Sequence, residues 1–267
     1  MKLPFTKMQA LENDFIVLNA LEKSLSLSTK QIQTLAERKL GIGFDQCLIL
    51  EPAKNSHCAF HYRIFNADGS ESEQCGNGAR ALALYIHKNK LALGNEWRLS
   101  TKKGEVTLQF NNQDHIAINM GEPQFHTGLK SWLHVDGNSL QVTCVDMGNP
   151  HVVYQVQQLM TEPVGTLGPL IATHTQFPAG TNVEFVQILA DNRMALRTYE
   201  RGVGETSACG SGACAAMAAM FAQGLVEQKV LVEQRGGTLE VEWLGPGHSL
   251  WMVGPARFVF EGIIDIL

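Results

Sequence analysis

Short apolar runs separated by turns make up most of the hydrophobic pattern of this chain. Residues 3–19 carry an alternating run around FIVLNA, which predicts a first strand ending near Asn13. Ser28 to Leu40 has an apolar stripe at helical spacing and stops at Gly41, which predicts a helix. Most other apolar runs, including CLILEP, CAFHYRIF, HIAINM and KVLVEQ, are typical of strands. The pattern therefore predicts an α/β protein of the α+β type.

Two segments differ from the rest because each places a cysteine directly before glycines and an apolar helix. Cys209 leads into GSGACAAMAA, and Cys75 leads into GNGARALA. Backbone N–H groups and the macrodipole at a helix N-terminus stabilise an anion, and they can lower a cysteine pKa from about 8.5 to between 3.5 and 7.5. We therefore expect a thiol of lowered pKa at the start of each helix. For either segment alone, a buried structural cysteine is the alternative.

The two cysteines lie 134 positions apart, about half of the 267 residues. Three more pairs of polar residues have nearly the same separation: Asn13 with Asn149, Gln46 with Asn182, and Asn66 with Glu200. Such a repeat indicates a duplicated unit. We predict two pseudo-symmetric lobes that face one cleft, each a mostly antiparallel, barrel-like sheet around a central helix. The N-terminal lobe is residues 1–120, the C-terminal lobe is residues 121–258, and the final strand, about 259–267, returns to the first lobe.

Composition and charge narrow the class of protein. The chain has 21 Lys and Arg against 26 Asp and Glu, a net charge of −5, without a block of like charge. Nucleic acid and membrane surfaces are therefore not expected as partners. The chain contains neither an apolar run of about 18 residues nor a signal peptide, so we expect a soluble, cytoplasmic protein. Six cysteines without zinc-type spacing predict reduced thiols and no metal site.

Four motifs occur in the order NADGSESEQCGNGAR, MGNPH, NVEFVQ and YERGVGETSACGSGACAA. They resemble the motifs of the diaminopimelate epimerase family, and the resemblance runs from about Asn13 to the C-terminus. It implies two similar α/β lobes that close over the substrate. It also implies interconversion of LL- and meso-2,6-diaminopimelate, on the bacterial path to lysine and peptidoglycan. The resemblance further implies that the small-molecule substrate is an amino acid, that no cofactor is needed and that the protein forms a homodimer.

Inversion of an α-carbon explains why such a protein needs two cysteines. A proton leaves one face of the carbon and another arrives at the opposite face, so one base must be a thiolate while the other is a thiol. By resemblance, Cys75 is the proton donor and Cys209 the acceptor in one direction, and the roles reverse in the other. The two thiols titrate as a coupled pair.

The resemblance also implies roles for the remaining polar residues. His151 and Glu200 orient the α-ammonium group and support the thiol pair, so both are catalytic candidates. Arg201 binds the distal carboxylate, since its planar guanidinium matches a carboxylate. The backbone N–H groups that hold the α-carboxylate are those of Gly76, Asn77, Gly210 and Ser211. The distal pocket consists of Asn13, Asn66, Asn149 and Asn182, and Gln46 lies beside the α-carbon.

Two positions depart from the usual family pattern. The motif HGLGNDF reads QALENDF here, so Gln9, Ala10 and Glu12 replace a histidine and two glycines. This change affects the loop before Asn13. Phe260 stands where the family often has a tyrosine that helps form the homodimer.

Two other functions stay open at this point. One is a related two-cysteine racemase or epimerase that acts on proline or hydroxyproline. The other is a non-catalytic redox or ligand-binding protein in which Cys75 and Cys209 form a disulfide.

Overall fold

A computed structural model describes residues 2–72, 75–111, 115–125 and 128–266 of the chain. Glu73 and Gln74, which belong to the first cysteine motif, lie outside the described residues. The chain divides into two compact units, Met1–Ile118 with Gly254–Leu267, and Asn119–Val253. The division predicted from the sequence put the boundary between residues 120 and 121 and gave residues 259–267 to the first lobe.

The first unit is a sheet around a buried helix. Its strands are β1 (Lys2–Ala10), β2 (Asn13–Asn19), β3 (Gln46–Pro52), β4 (Phe60–Asn66), β5 (Glu71–Ser72), β6 (Glu96–Ser100), β7 (Glu105–Phe110) and β8 (His115–Gly121), and its helices are α1 (Thr29–Ala36) and α2 (Gly76–Lys88). The pairs β2 with β3 and β4 with β6 are parallel, and the other pairs are antiparallel. Helix α2 is central, because every residue from Asn77 to Ile86 is buried.

The second unit repeats this plan. Its strands are β9 (Ser131–Val135), β10 (Asn138–Asp146), β11 (Pro150–Gln155), β12 (Asn182–Ala190), β13 (Arg193–Glu200), β14 (Gly204–Thr206), β15 (Lys229–Gln234), β16 (Gly237–Glu242) and β17 (Leu250–Pro255), with helices α3 (Val164–Ala172) and α4 (Gly210–Ala222) and a 3₁₀ turn at Leu159–Thr161. The parallel pairs are β11 with β12 and β13 with β15. The last strand, β18 (Arg257–Asp265), belongs to the first unit and pairs antiparallel with β1. Across the described residues, neither unit has a helix both long and apolar enough to cross a membrane.

The residues that repeat along the sequence occupy equivalent places in the two units. Asn13 opens β2 and Asn149 directly precedes β11, Gln46 and Asn182 open β3 and β12, and Asn66 and Glu200 close β4 and β13. In both units the parallel pairing of the first two of these strands and the antiparallel pairing of the next two bring these ends together. The predicted fold class, an α+β protein with mostly antiparallel sheets around central helices, is confirmed.

The prediction of one strand over residues 3–19 is wrong, because this segment is the hairpin of β1 and β2. Its two-residue loop consists of Leu11 and Glu12, with φ angles of 54° and 65°. Two left-handed residues match the twist of a hairpin and are normally glycine, asparagine or aspartate. The sequence therefore carries no turn signal at this place.

Helix boundaries also differ from the sequence prediction. Helix α1 ends at Ala36 rather than at Leu40, whose side chain is 85% exposed. The chain turns there because the N–H groups of Ile42 and Gly43 both donate to the Leu35 carbonyl. Helix α3 forms although it contains poor helix formers, since burial of Val164, Ile171 and Ala172 stabilises it.

Replacement of Glu12 by glycine should stabilise the protein. Glu12 is exposed and its backbone is in the left-handed conformation, where a Cβ has a steric cost that glycine removes. The greater freedom of glycine in the unfolded chain offsets part of this gain. We expect Glu12→Gly to raise the free energy of unfolding by about 0.5–1 kcal/mol in urea titrations. Leu11→Gly is the matched control: Leu11 is buried, and losing that burial costs about 1.5–3 kcal/mol, so stability should fall. Equal effects of the two variants would contradict the backbone argument.

Candidate active site

Each central helix begins at a cysteine that caps it. Cys75 precedes α2 with φ −147° and ψ 112°, and its Sγ accepts a hydrogen bond from the Gly78 N–H at 3.4 Å. Cys209 precedes α4 with φ −124° and ψ 115°, and its Sγ accepts from the Gly212 N–H at 3.4 Å. An extended residue at this position lets its side chain turn back to the first helical turn. Both thiols therefore lie at helix N-termini, as the two glycine-rich segments predict.

Three predicted amides of the first unit make side-chain contacts: one with Cys75 and two with each other. The Cys75 thiol is 3.9 Å from its acceptor, Oδ1 of Asn13. Gln46 and Asn66 face each other across β3 and β4, and Gln46 Nε2 donates to Asn66 Oδ1 at 2.9 Å. The other amide atom of Gln46, Oε1, is buried and has no hydrogen-bond partner among the described residues. Gln46 thus keeps one acceptor for a ligand.

Charged residues that the sequence did not indicate hold Asn13 in place. Asp45 Oδ2 accepts hydrogen bonds from Asn13 Nδ2 and from the Asp14 N–H, both at 3.1 Å. Asp14 in turn accepts from Arg38 at 2.8 and 2.9 Å and from Lys7 at 2.6 Å. Burial raises the pKa of Asp14, but the hydrogen bonds from Arg38 and Lys7 outweigh it and hold this pKa well below its usual range. The network therefore holds Asn13, the acceptor that faces the Cys75 thiol, against an ionised Asp14.

Asn77 has its side chain directed to another residue of α2. Its Oδ1 accepts from Arg80 Nη2 at 2.6 Å, and Arg80 Nε donates to the Pro255 carbonyl at 3.3 Å. Both Asn77 and Arg80 are buried. The role predicted for Gly76 and Asn77 concerns their backbone N–H groups, which belong to the first helical turn and have no acceptor within the helix.

In the second unit, polar side chains connect His151 to the Cys209 thiol. His151 Nε2 is 3.1 Å from Asn149 Oδ1, and Asn149 Nδ2 donates to Ser211 Oγ at 3.4 Å. Ser211 Oγ is 3.6 Å from Cys209 Sγ. One polar cluster at the start of α4, beside Gly210, therefore contains four of the predicted residues: Asn149, His151, Cys209 and Ser211.

Glu200 belongs to the same cluster. Its Oε1 accepts from Thr206 Oγ1 at 2.6 Å, and its carboxyl group also contacts the Cys209 thiol. Burial raises the pKa of Glu200, although Thr206 and His151 act against the rise. The pKa of Cys209 is raised well above its ordinary value. Burial has the largest effect, followed by the charges of Glu200 and Glu184. The expected lowering of the Cys209 pKa is thus wrong, because the helix end is outweighed by loss of water and by two acidic neighbours.

Asn182 and Arg201 are joined through the backbone. Asn182 pairs with His151 across β11 and β12, and its Oδ1 accepts from the Arg201 N–H at 2.9 Å. The Arg201 guanidinium is exposed, and Nη1 donates to the Ala179 carbonyl at 2.7 Å. Asn182 therefore shapes the loop that presents Arg201.

Sequence reasoning missed Asp45, Gln234 and Glu184. Gln234 Oε1 accepts from the Cys209 N–H at 2.8 Å. Glu184 had a signal in the sequence, because it is the one charge in the apolar run NVEFVQIL. Within the part of the chain that the structure describes, no three His, Cys, Asp or Glu side chains are placed to hold a metal ion.

Three solved structures share this fold over nearly the whole chain. A PhzF-family phenazine biosynthesis protein from Bacillus anthracis is 18% identical, with a TM-score of 0.74 and 100% of both chains covered. A hydroxyproline epimerase from Agrobacterium vitis, with bound trans-4-OH-L-proline, is 16% identical, with a TM-score of 0.74 over 98% of this chain and 92% of that one. A methylitaconate-delta-isomerase is 13% identical, with a TM-score of 0.71 over 99% of this chain and 95% of that one. At these identities the likeness shows the fold.

A hydroxyproline epimerase, an isomerase and a PhzF-family protein all share this fold, so the family is assigned from the sequence model. The sequence model described as diaminopimelate epimerase matches residues 5–126 and 143–259, most of the chain. The protein belongs to the diaminopimelate epimerase family, and the resemblance stated from the motifs is confirmed.

Gly212 should be essential for the close approach of α4 to β12. A Cβ at this position would lie 2.8 Å from Glu184 Oε1 and 3.3 Å from Cys209 Sγ. We expect Gly212→Ala to lower the free energy of unfolding in urea by about 1–3 kcal/mol, because the buried groups must move. Gly165→Ala in α3 is the control, since a Cβ there meets nothing within 4 Å, and stability should rise by up to about 1 kcal/mol. A Gly212→Ala protein as stable as this control would refute the steric argument.

Proposed function

We propose that this protein is a cytoplasmic, cofactor-independent epimerase that interconverts LL- and meso-diaminopimelate in lysine and peptidoglycan precursor synthesis. The observation that carries the proposal is the repeated thiol: in a member of this family, Cys75 and Cys209 each cap the N-terminus of a buried helix. Inversion of an α-carbon needs two acid–base groups of this kind, one for each face of the carbon.

The different environments of the thiols support a direction for the first step. The raised pKa of Cys209 keeps its proton on sulfur at neutral pH. In our scheme the Cys75 thiolate takes the proton from Cα, the C–H electron pair stays on carbon, and the Cys209 S–H delivers its proton to the opposite face. The reverse reaction exchanges the two roles. The N–H groups of Gly76, Asn77, Gly210 and Ser211 would bind the α-carboxylate and stabilise its developing charge.

Other contacts support a substrate with two polar ends. The unpaired Gln46 Oε1 is an acceptor suited to an ammonium group close to the α-carbon. The exposed Arg201 guanidinium retains donors for a distal carboxylate, beyond the one used by Ala179. Glu200 and His151 would orient the α-ammonium group, and the amides of Asn13, Asn66, Asn149 and Asn182 would line the distal pocket.

Proline or hydroxyproline is the second candidate substrate, and the fold shared with the hydroxyproline epimerase favours it. These amino acids have no distal carboxylate, so an Arg201→Gln variant separates the two candidates. Loss of the bidentate partner should raise KM for diaminopimelate and leave turnover of a proline substrate unchanged.

Deuterium uptake at the α-carbon in heavy water tests the proposed reaction. The reduced protein should exchange the α-proton of LL-diaminopimelate without pyridoxal phosphate, as followed by mass spectrometry. Cys75→Ser and Cys209→Ser should each lower the rate by about 10²–10⁴, because a hydroxyl is a far weaker acid–base group at neutral pH. Cys144→Ser, outside both polar clusters, is the control and should keep the wild-type rate. Exchange that requires pyridoxal phosphate, or that survives both serine substitutions, would refute the two-thiol scheme.

We also propose a homodimer that buries β18. Three apolar side chains of this strand are exposed: Val259 (54%), Phe260 (49%) and Ile263 (69%). Phe260 packs edge-on against Phe5, with ring centroids 5.8 Å apart, so it presents an ordered apolar surface without the tyrosine hydroxyl. Adjacent apolar side chains at a strand surface are typical of an interaction site.

Light scattering after size exclusion tests the dimer. The wild type should have twice the mass of one chain, and Ile263→Asp should give the mass of one chain because a charge would be buried in the contact. Leu93→Asp, at a residue 97% exposed outside β18, should leave the dimer intact. A monomeric wild type, or a dimer that persists in Ile263→Asp, would contradict the proposal.

A further inference from the structure

Glu184 is a fully buried carboxyl group for which the proposed reaction has no direct use. It lies in β12 and its side chain is 0% exposed. Burying a carboxylate is costly unless it is paired, and unpaired carboxylates become protonated instead. Burial raises the pKa of Glu184, while the neighbouring His151 opposes the rise. Glu184 lies two residues from Asn182. An apolar side chain could pack in this place without the cost of burial, so the carboxyl group has a role other than packing.

The partner of Glu184 is the ring of His151. Glu184 Oε1 is 2.8 Å from His151 Nδ1, and both side chains are 0% exposed. An ionised carboxylate only accepts hydrogen bonds, so the proton must sit on Nδ1. The opposite ring nitrogen, Nε2, is 3.1 Å from Asn149 Oδ1, and because an amide oxygen only accepts, this contact is a hydrogen bond when Nε2 carries a hydrogen as well. From Asn149 the contacts continue through Ser211 to the Cys209 sulfur.

Glu184 also lies against the first turn of α4. The space for its Oε1 exists because residue 212 is glycine, whose missing Cβ would lie 2.8 Å away. Its second oxygen, Oε2, is buried without a hydrogen-bond partner among the described residues. Among the described residues, the Glu184 carboxylate therefore has one hydrogen-bond partner, His151, which it contacts through Oε1.

We propose that Glu184 is a positioning residue for the Cys209 thiol: it keeps a hydrogen on Nδ1 of His151 and fixes the orientation of the ring, and that ring in turn orders Asn149 and Ser211 beside the sulfur. This inference deepens the proposed function and rests on it for its kinetic consequence. The geometry is the same as in other sites where a buried carboxylate holds a catalytic imidazole by Nδ1–H.

The charge of Glu184 acts on Cys209 as well. Among the described residues, the charged groups that act on Cys209 are Glu184 on β12 and Glu200 on β13, and His151 on β11 is the partner of Glu184. Burial raises the pKa of this thiol most, and the charges of Glu200 and then of Glu184 raise it further. Removing the charge of Glu184 should therefore lower the Cys209 pKa, so that the thiolate forms at a lower pH.

Glu184→Gln tests the proposal, because it keeps the shape but loses the charge. Its amide can also donate to Nδ1 and so permits the wrong tautomer. We expect kcat for α-deuterium exchange to fall about 10–100-fold with KM within about twofold of wild type, the size typical when the carboxylate partner of a functional histidine is lost. Combined with His151→Asn, it should cause a smaller further loss than it causes alone, since both substitutions remove the same interaction.

Thr198→Val is the matched control. Thr198 pairs directly with Glu184 across β12 and β13, and its buried Oγ1 has no hydrogen-bond partner within the described part of the chain. The substitution changes the same buried neighbourhood without changing charge, so kcat should stay at the wild-type value.

Two readouts do not depend on the substrate. Histidine ¹⁵N NMR, assigned with His151→Asn, should show a hydrogen on Nδ1 in wild type and a changed Nδ1 signal in Glu184→Gln. Iodoacetamide labelling of Cys209, read by peptide mass spectrometry, should have its pH midpoint at a lower pH in Glu184→Gln and not in Thr198→Val.

The outcomes separate the two proposals. Unchanged kcat, NMR signal and labelling midpoint in Glu184→Gln would overturn the positioning role, and so would a loss of folding stability alone. If wild type exchanges no diaminopimelate proton, the proposed substrate fails, while the NMR signal and labelling midpoint still decide the role of Glu184.

Discussion

The hydrogen bond from a first-turn amide to a cysteine sulfur is the contact on which both polar clusters depend. It requires an extended cysteine, a following glycine-rich turn and a helix whose N-terminus is protected by sheet. In α4 the alanines from Ala213 to Ala219 are 0% exposed, which lets strands approach the helix axis closely. Larger side chains on that helix would push the sheet outward and move the polar groups on β11, β12 and β13 away from the thiol.

Burial opposes the electrostatic effect of the helix end. The N-terminal dipole favours a thiolate, but loss of water disfavours any buried anion. At Cys209 the second effect is larger, and the acidic neighbours Glu200 and Glu184 add to it. A protein that keeps one of its thiols protonated at neutral pH is suited to proton delivery. The pKa of the Cys209 thiol therefore depends on the charges around the sulfur as well as on the position of the cysteine at a helix N-terminus.

The two units use one topology with different polar residues. Near Cys75 the amide of Asn13 is held by the charged network of Asp14, Arg38, Lys7 and Asp45. Around Cys209 the polar cluster instead contains a histidine, buried glutamates and hydroxyl groups. Duplication supplies the two helix ends, and divergence gives each of them different neighbouring side chains.

The sequence by itself determined the local features: two cysteine-led helices, the repeat near 134 positions, the α+β class and the family. These signals are readable because caps, glycine turns and apolar periodicity act over a few residues. It missed the hairpin at Leu11 and Glu12 because the turn lacks its usual residues. It also missed the pairing of Glu184 with His151 and the raised pKa of Cys209. Tertiary structure alone decided those, because burial and contacts between distant strands set the energy of a charge, and neither is encoded by neighbours in the chain.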